Sequence, residues 1–182
     1  RLANVPIWAP DPDKIPQCLA YESEAQVIGY GGAAGGGKTD LLIGTALNNH
    51  RRSLILRRLN SEVEGLIERA TEIVGHTQGL KRNPPAMWRF PDKIVKFGGC
   101  QHINDWKKYQ GDPKDFIGFD EISNFLEAQY TSIIGWNRST TKGQRVRSIA
   151  TGNPPVTPDG LWVNKRWGAW LDPNHPNPAL PG

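Results

Sequence analysis

Gly31-Gly32-Ala33-Ala34-Gly35-Gly36-Gly37-Lys38-Thr39 is the stretch on which the reading of this chain turns. From Gly32 it satisfies the pattern G-x-x-x-x-G-K-[ST] without a gap. Gln26-Val27-Ile28-Gly29-Tyr30 in front of it is short and apolar and predicts a buried strand. Behind it Leu41, Leu42, Thr45 and Ala46 recur at helical spacing. Strand, glycine loop and helix together form the context in which the pattern has a mechanism. Glycines let the backbone curl until successive N–H groups converge, and a helix N-terminus adds its positive end, so such a loop cradles phosphates. A glycine-rich surface turn is the plain alternative, and the flanking strand and helix argue against it. The reading assigns Gly32, Ala33, Ala34, Gly35, Gly36, Gly37, Lys38, Thr39 and Asp40 to the phosphates of ATP. Lys38 would reach the β- and γ-phosphates, and the Thr39 hydroxyl would hold Mg²⁺.

With 182 residues the chain is long enough to bury a proper core, and one domain is the default. Cys18 and Cys100 stand far apart and form no C-x-x-C, so neither a zinc site nor a disulfide framework is signalled, and reduced thiols in a cytosol fit better. No apolar run approaches membrane-spanning length and no N-terminal signal segment is visible, so no membrane partner is expected. The net charge of +4 and a pI near 9.2 are compatible with a nucleic-acid partner without requiring one. The basic residues come in pairs such as Arg51-Arg52, Arg57-Arg58 and Lys107-Lys108, each readable as ordinary solvated surface.

Residues 1–20 are punctuated by Pro6, Pro10, Pro12 and Pro16 and read as an arm leading to Gln17 and a short helix over 19–25. A glutamine amide both donates to and accepts from an adenine edge, and Trp8 either stacks on a base or simply packs. Residues 53–57 predict a second buried strand. Ser61 with Glu64 three residues on forms a capping-box pattern ahead of Val63, Leu66, Ile67, Ala70, Ile73 and Val74 on one helical face. Asn83-Pro84-Pro85 breaks the chain, 87–90 and 94–97 predict a hairpin, and 103–109 is ambiguous.

Phe116-Ile117-Gly118-Phe119-Asp120-Glu121 is the second anchor. Apolar residues ending in two acids describe a buried strand that delivers carboxylates to its C-terminal edge, where open α/β sheets bind ligands. Asp120 suits the Mg²⁺ shell and Glu121 suits general-base or water-orienting work on the γ-phosphate. A helix follows in which Phe125, Leu126, Tyr130, Ile133 and Ile134 share a core face. Residues 146–150 predict a further strand ending in Thr151-Gly152-Asn153-Pro154-Pro155, whose polar side chains could touch the attacking water or the γ-phosphate. Residues 161–171 predict a helix with aromatic faces, and 172–182 read as a proline-rich linker.

In this order the pieces resemble one family, the large subunit of the tailed-bacteriophage terminase. The resemblance rests on Pro16-Gln17, the Gly-rich loop, Lys108-Tyr109-Gln110-Gly111 ahead of 116–121, Thr151-Gly152-Asn153-Pro154, and Trp162-Val163-x-Lys165-Arg166. It implies an α/β P-loop NTPase of the ASCE (RecA-like) type with a mostly parallel central sheet flanked by helices. In such a sheet the Thr-Gly-Asn strand lies between the two Walker strands. It further implies that Gln17 contacts adenine, that Asn153 senses the γ-phosphate, and that residues 1–171 form a DNA-packaging motor with 1–25 as its arm. The linker would lead to an RNase H-like nuclease for which this chain supplies no acidic cluster. Implied partners are double-stranded DNA, the portal protein, the small terminase subunit and further copies in a ring on the procapsid, in the cytoplasm of a bacterial host.

One departure from the family pattern concerns charge. Many large terminases carry an arginine inside the loop where this chain has Ala34, so another cation must offset the charge developing on the phosphate or the rate must suffer. Arg138 and Arg147 are the first candidates for a catalytic arginine acting from a neighbouring copy, with Arg57, Arg58 and Lys108 behind them. The rival readings are a helicase or other translocase with the same core, and a nucleotide-gated scaffold that does not hydrolyse. Such a scaffold would have no need of Glu121. A small-molecule kinase would have no use for the Thr-Gly-Asn-Pro stretch.

Overall fold

The computed structural model describes residues 6–32 and 35–179, so Ala33 and Ala34 of the loop lie outside the described residues. The chain runs α1 (Ile15–Glu22), β1 (Val27–Gly31), α2 (Lys38–Asn49), β2 (Arg52–Arg57), α3 (Val63–Val74), β3 (Leu80–Lys81), β4 (Ala86–Arg89) and β5 (Ile94–Gly99). A 3₁₀ turn over Asp105–Tyr109 settles the ambiguous stretch. Then come β6 (Phe116–Phe119), α4 (Glu127–Ile134), β7 (Arg147–Gly152) and α5 (Leu161–Leu171).

The strands form one sheet in the order β1-β7-β6-β2-β5-β4-β3. All pairings from β1 to β5 are parallel, and β4 runs antiparallel to both β5 and β3. The hairpin expected around Pro91-Asp92 is therefore β4–β5. β7, carrying Thr151-Gly152, lies between the glycine-loop strand β1 and the acid-bearing strand β6, the order implied by the resemblance.

Alternation of side chains along the central strands builds two cores, because successive residues of a strand face opposite sides. Ile55, Phe116 and Ile149 face one side and pack with Leu41, Leu42 and Ala46 of α2 and Leu66 and Ile67 of α3. Leu54, Leu56, Ile117, Phe119 and Ala150 face the other side, against Tyr130 and Ile133 of α4 and Trp162 of α5. Each such side chain, taken fully out of water, contributes roughly 1.5–3 kcal/mol. Helices thus cover both faces, which is what lets β2, β6 and β7 be almost wholly buried.

Three local expectations change. β1 is an edge strand with alternating exposure rather than a buried one, and Val27 is 46% exposed. Ser61 does not cap α3: a 3₁₀ turn over Asn60–Glu62 leads into the helix, and the Glu64 carboxylate pairs with Arg82 instead. Helix α1 starts at Ile15, earlier than expected, with Pro16 in its first turn, where its missing N–H costs nothing. The described part of the proline-rich tail turns back on α5, the Ala179 N–H donating to Ala169 O at 2.7 Å.

Candidate functional site

The glycine loop, the end of β6 and the end of β7 meet at the C-terminal edge of the parallel strands. Gly37 precedes α2 with φ 67°, a left-handed conformation that favours glycine, and there is no room for a side chain. A Cβ at Gly37 would run into the Gln17 amide. Gln17 is buried, and its amide bridges the arm and the loop: Nε2 donates to Gly37 O at 2.8 Å and Oε1 accepts from the Asp11 N–H at 2.9 Å. The Tyr30 hydroxyl donates to Gly36 O at 3.1 Å, and Lys38 Nζ donates to Gly32 O at 2.9 Å. Backbone carbonyls of the loop are thus tied down by side chains.

Asp120 is the hub. It is 2% exposed, and side chains from three other elements converge on its carboxylate. Thr39 Oγ1 donates to Oδ2 at 3.0 Å, Thr151 Oγ1 donates to Oδ1 at 3.0 Å, and Arg57 donates to Oδ2 through Nε at 2.9 Å and Nη2 at 2.8 Å. Glu121 follows in a left-handed conformation at φ 58°, among the described residues the only non-glycine with positive φ. That conformation costs on the order of 1–2 kcal/mol, a strain that clusters at working sites. Its half-buried carboxylate accepts from Asn124 Nδ2 at 3.2 Å, so water can reach it. Asn153 is exposed just past the end of β7, on the same edge.

The residues fit a magnesium–nucleotide. Thr39 and Asp120 are hard oxygen donors within 3.0 Å of each other, the donor chemistry that Mg²⁺ prefers. The guanidinium of Arg57 already stands on the oxygen they share, so the spot holds a cation.

Other sequence candidates are placed elsewhere. The Asp40 carboxylate, in the first turn of α2, is held by Arg69 of α3 in a two-pronged pair at 2.7 and 2.8 Å, which commits it to α3. Arg138 sits at the opposite edge of the sheet: its N–H donates to Lys114 O, ahead of β6, and its guanidinium lies 4.7 Å from the Trp136 ring centroid. It does not reach the loop of its own chain. Arg147 is corrected outright as a finger. It is fully buried, donates to Tyr21 O at 2.9 Å and also to Ala20 O, and so satisfies carbonyls at the end of α1. Burial, with Arg145 nearby, pushes its pKa down to about 10. Arg57 is engaged within its own chain, Arg58 donates to Cys100 O at 2.5 Å, and Lys108 pairs with Asp105 at 2.9 Å. Trp8 packs against Gly44 of α2 and edge-on to Tyr21, a partly buried side chain laid against the core.

Two contacts escape the sequence reading. Arg57 falls beside Asp120 because β2 neighbours β6 with Leu56 opposite Phe119, and nothing local announces that adjacency. Tyr109 of the Lys-Tyr-Gln-Gly stretch is buried, its hydroxyl donating to Gly99 O at 2.7 Å; burial, with Cys100 and Asp105 nearby, pushes its pKa up.

No protein-family model and no curated protein sequence matches the chain. Solved structures do. The large terminase of bacteriophage HK97 superposes with a TM-score of 0.60 at 13% identity over 89% of this chain. The large terminase of a thermophilic bacteriophage gives 0.56 at 12% identity over 79% of it. The chain shares its fold with these large terminases. A second crystal form of the thermophilic-phage protein, in complex with ATP-gamma-S, superposes with a TM-score of 0.55 at 14% identity over 79% of this chain and 38% of that one. The chain spans 37% of the HK97 protein's length and 39% of the thermophilic-phage protein's. Among the described residues no helix is long and apolar enough to cross a membrane.

Proposed function

We propose that this chain is an ATP-hydrolysing motor domain that drives double-stranded DNA into a procapsid. The observation that carries the reading is the convergence of Thr39, Asp120 and Thr151 within hydrogen-bond distance, at the ends of adjacent elements on the C-terminal edge of a parallel sheet. Bound Mg²⁺ would supply charge neutralisation at the β- and γ-phosphates.

The residues of the chain do the rest. Lys38 and the N–H groups of 32–39 bind phosphate, and Thr39 and Asp120 hold the metal. Glu121 orients and deprotonates the attacking water. Asn153, with Thr151 anchoring its strand to Asp120, reports the state of the terminal phosphate. Gln17 serves adenine while bracing Gly37, so base recognition and loop shape share one amide. Arg138 acts on the site of a neighbouring copy, which its position at the far edge permits. Residues 1–171 form the motor, with the portal protein, the small terminase subunit and DNA as partners, and a ring of copies as the working assembly in the host cytoplasm.

The test is Mg²⁺-dependent ATP binding and hydrolysis by the wild type, Lys38→Ala and Glu121→Gln. Lys38→Ala is expected to lose binding, and Glu121→Gln to bind without turnover. A wild type that binds and never hydrolyses, even when concentrated with DNA, would overturn the motor reading in favour of a nucleotide-gated scaffold.

A further inference from the structure

Oδ2 of Asp120 accepts three donors, Thr39 Oγ1, Arg57 Nε and Arg57 Nη2, more than the two lone pairs of one carboxylate oxygen. The Arg57 guanidinium is therefore seated on the same carboxylate oxygen that takes the Thr39 hydroxyl, the two groups a divalent cation would use. A buried carboxylate needs a counter-charge, and an arginine fork supplies one with good geometry. Two cations on one oxygen repel each other, so a divalent metal and the guanidinium compete for it. Arg57 is also free to leave: its side chain is 21% exposed against 2% for Asp120, and Nη1 lies beside Gly65 of α3, which offers no side chain to confine it.

We propose that Arg57 is a built-in counter-cation that occupies Asp120 until a divalent metal displaces it. It is a positioning residue acting through Asp120, and it sets the metal concentration at which the site loads. The inference rests on the nucleotide-site reading above and deepens it. Because pairing and metal binding compete, removing the guanidinium should tighten metal-dependent nucleotide binding. Mere structural damage would weaken it.

The experiment is calorimetric binding of ADP to the full chain across a Mg²⁺ titration, for the wild type, Arg57→Gln, Arg57→Lys and Lys38→Ala. Arg57→Gln is expected to reach half-saturation at about tenfold lower Mg²⁺, the scale of a fork-type ion pair in a partly buried site. Arg57→Lys, which keeps a charge without the fork, should fall between Arg57→Gln and the wild type. An unchanged or raised Mg²⁺ requirement in Arg57→Gln, with Lys38→Ala abolishing binding, overturns the inference and leaves the nucleotide site standing. Equal ADP binding by the wild type and Lys38→Ala overturns the nucleotide site itself. Should the Arg57 variants not fold, the wild type decides through the ¹⁵Nε–H resonance of Arg57. Mg²⁺ with ADP must shift that resonance towards the free-arginine position where ADP alone does not, and an unmoved signal overturns the proposal.

Discussion

Asp115 and Asp120 bracket the same strand, are equally buried at 2% exposure, and do opposite things. Asp115, at the N-terminal end of β6, accepts from the backbone N–H groups of Arg51 and Arg52, both at 3.1 Å, and stands 3.4 Å from the Nδ1 of buried His50, whose ring stacks on Phe116. Asp120, at the C-terminal end, is held by the side chains of Thr39, Thr151 and Arg57. Backbone donors are fixed by the fold and leave the carboxylate nothing to do but join β2 to β6. Side-chain donors can rotate away, so the carboxylate they surround can be handed to another partner. Burial alone does not separate the two acids; the kind of donor around each does.

Substitutions at the two edges should break function and stability separately. The largest effect is expected for Glu121→Gln, a loss of roughly 10²–10⁴ in steady-state phosphate release, the usual worth of a positioned general base, with ADP binding kept. Turnover at the wild-type rate would remove Glu121 from the chemistry. Asp115→Ala orphans two part-buried N–H groups and should cost about 3 kcal/mol, which lowers Tm by on the order of 10 °C in a chain this size. Thermal unfolding followed by circular dichroism measures it, and a Tm within 2–3 °C of wild type, roughly 1 kcal/mol, would mean those groups find other partners. Asp120→Asn keeps one oxygen to accept from a threonine hydroxyl, leaves the other threonine to turn and accept from the new amide N–H, and releases an arginine that can reach solvent, so about 1 kcal/mol is expected in the same assay, alongside loss of Mg²⁺-dependent nucleotide binding. If Asp120→Asn destabilises as much as Asp115→Ala, the distinction between the two edges fails.

The smallest effect should appear at low pH. Burial pushes the Asp112 carboxyl up, but hydrogen bonds from Lys96 and Arg52 outweigh it and bring it down to about 2. The folded state therefore holds this group ionised where the unfolded chain protonates it. Its contribution is full above the ordinary carboxylate range near pH 4 and is lost as the pH falls towards 2. With Asp112 and Arg52 partly open to water, the effect should stay below about 1 kcal/mol. Urea midpoints measured from pH 5 down to 2.5 should fall less steeply in Asp112→Asn than in the wild type, and parallel curves would refute the assignment.

Much of this was legible because its causes are local. The glycine loop announces itself by spacing, α5 by the run from Leu161 to Leu171, and the β4–β5 hairpin by Pro91-Asp92 between two apolar runs. What misled was local chemistry with more than one use. Ser61 and Glu64 have capping-box spacing, yet Glu64 finds Arg82, eighteen positions away. Arg147 has the charge of a finger, yet the carbonyls ending α1 claim it, and Trp8 could stack on a base but fills the space over Gly44.

By itself the sequence determined that a glycine-rich loop joins a strand to a helix, and that two acids close an apolar strand, because both signals depend only on residues within a few positions of one another. The tertiary structure alone decided that β2 lies beside β6, so that Arg57 meets Asp120 across 63 positions of chain. It alone decided that Asp115 is capped by backbone while Asp120 is ringed by movable side chains. Neighbour relations among strands arise from the packing of the whole sheet, and no short stretch of sequence contains them.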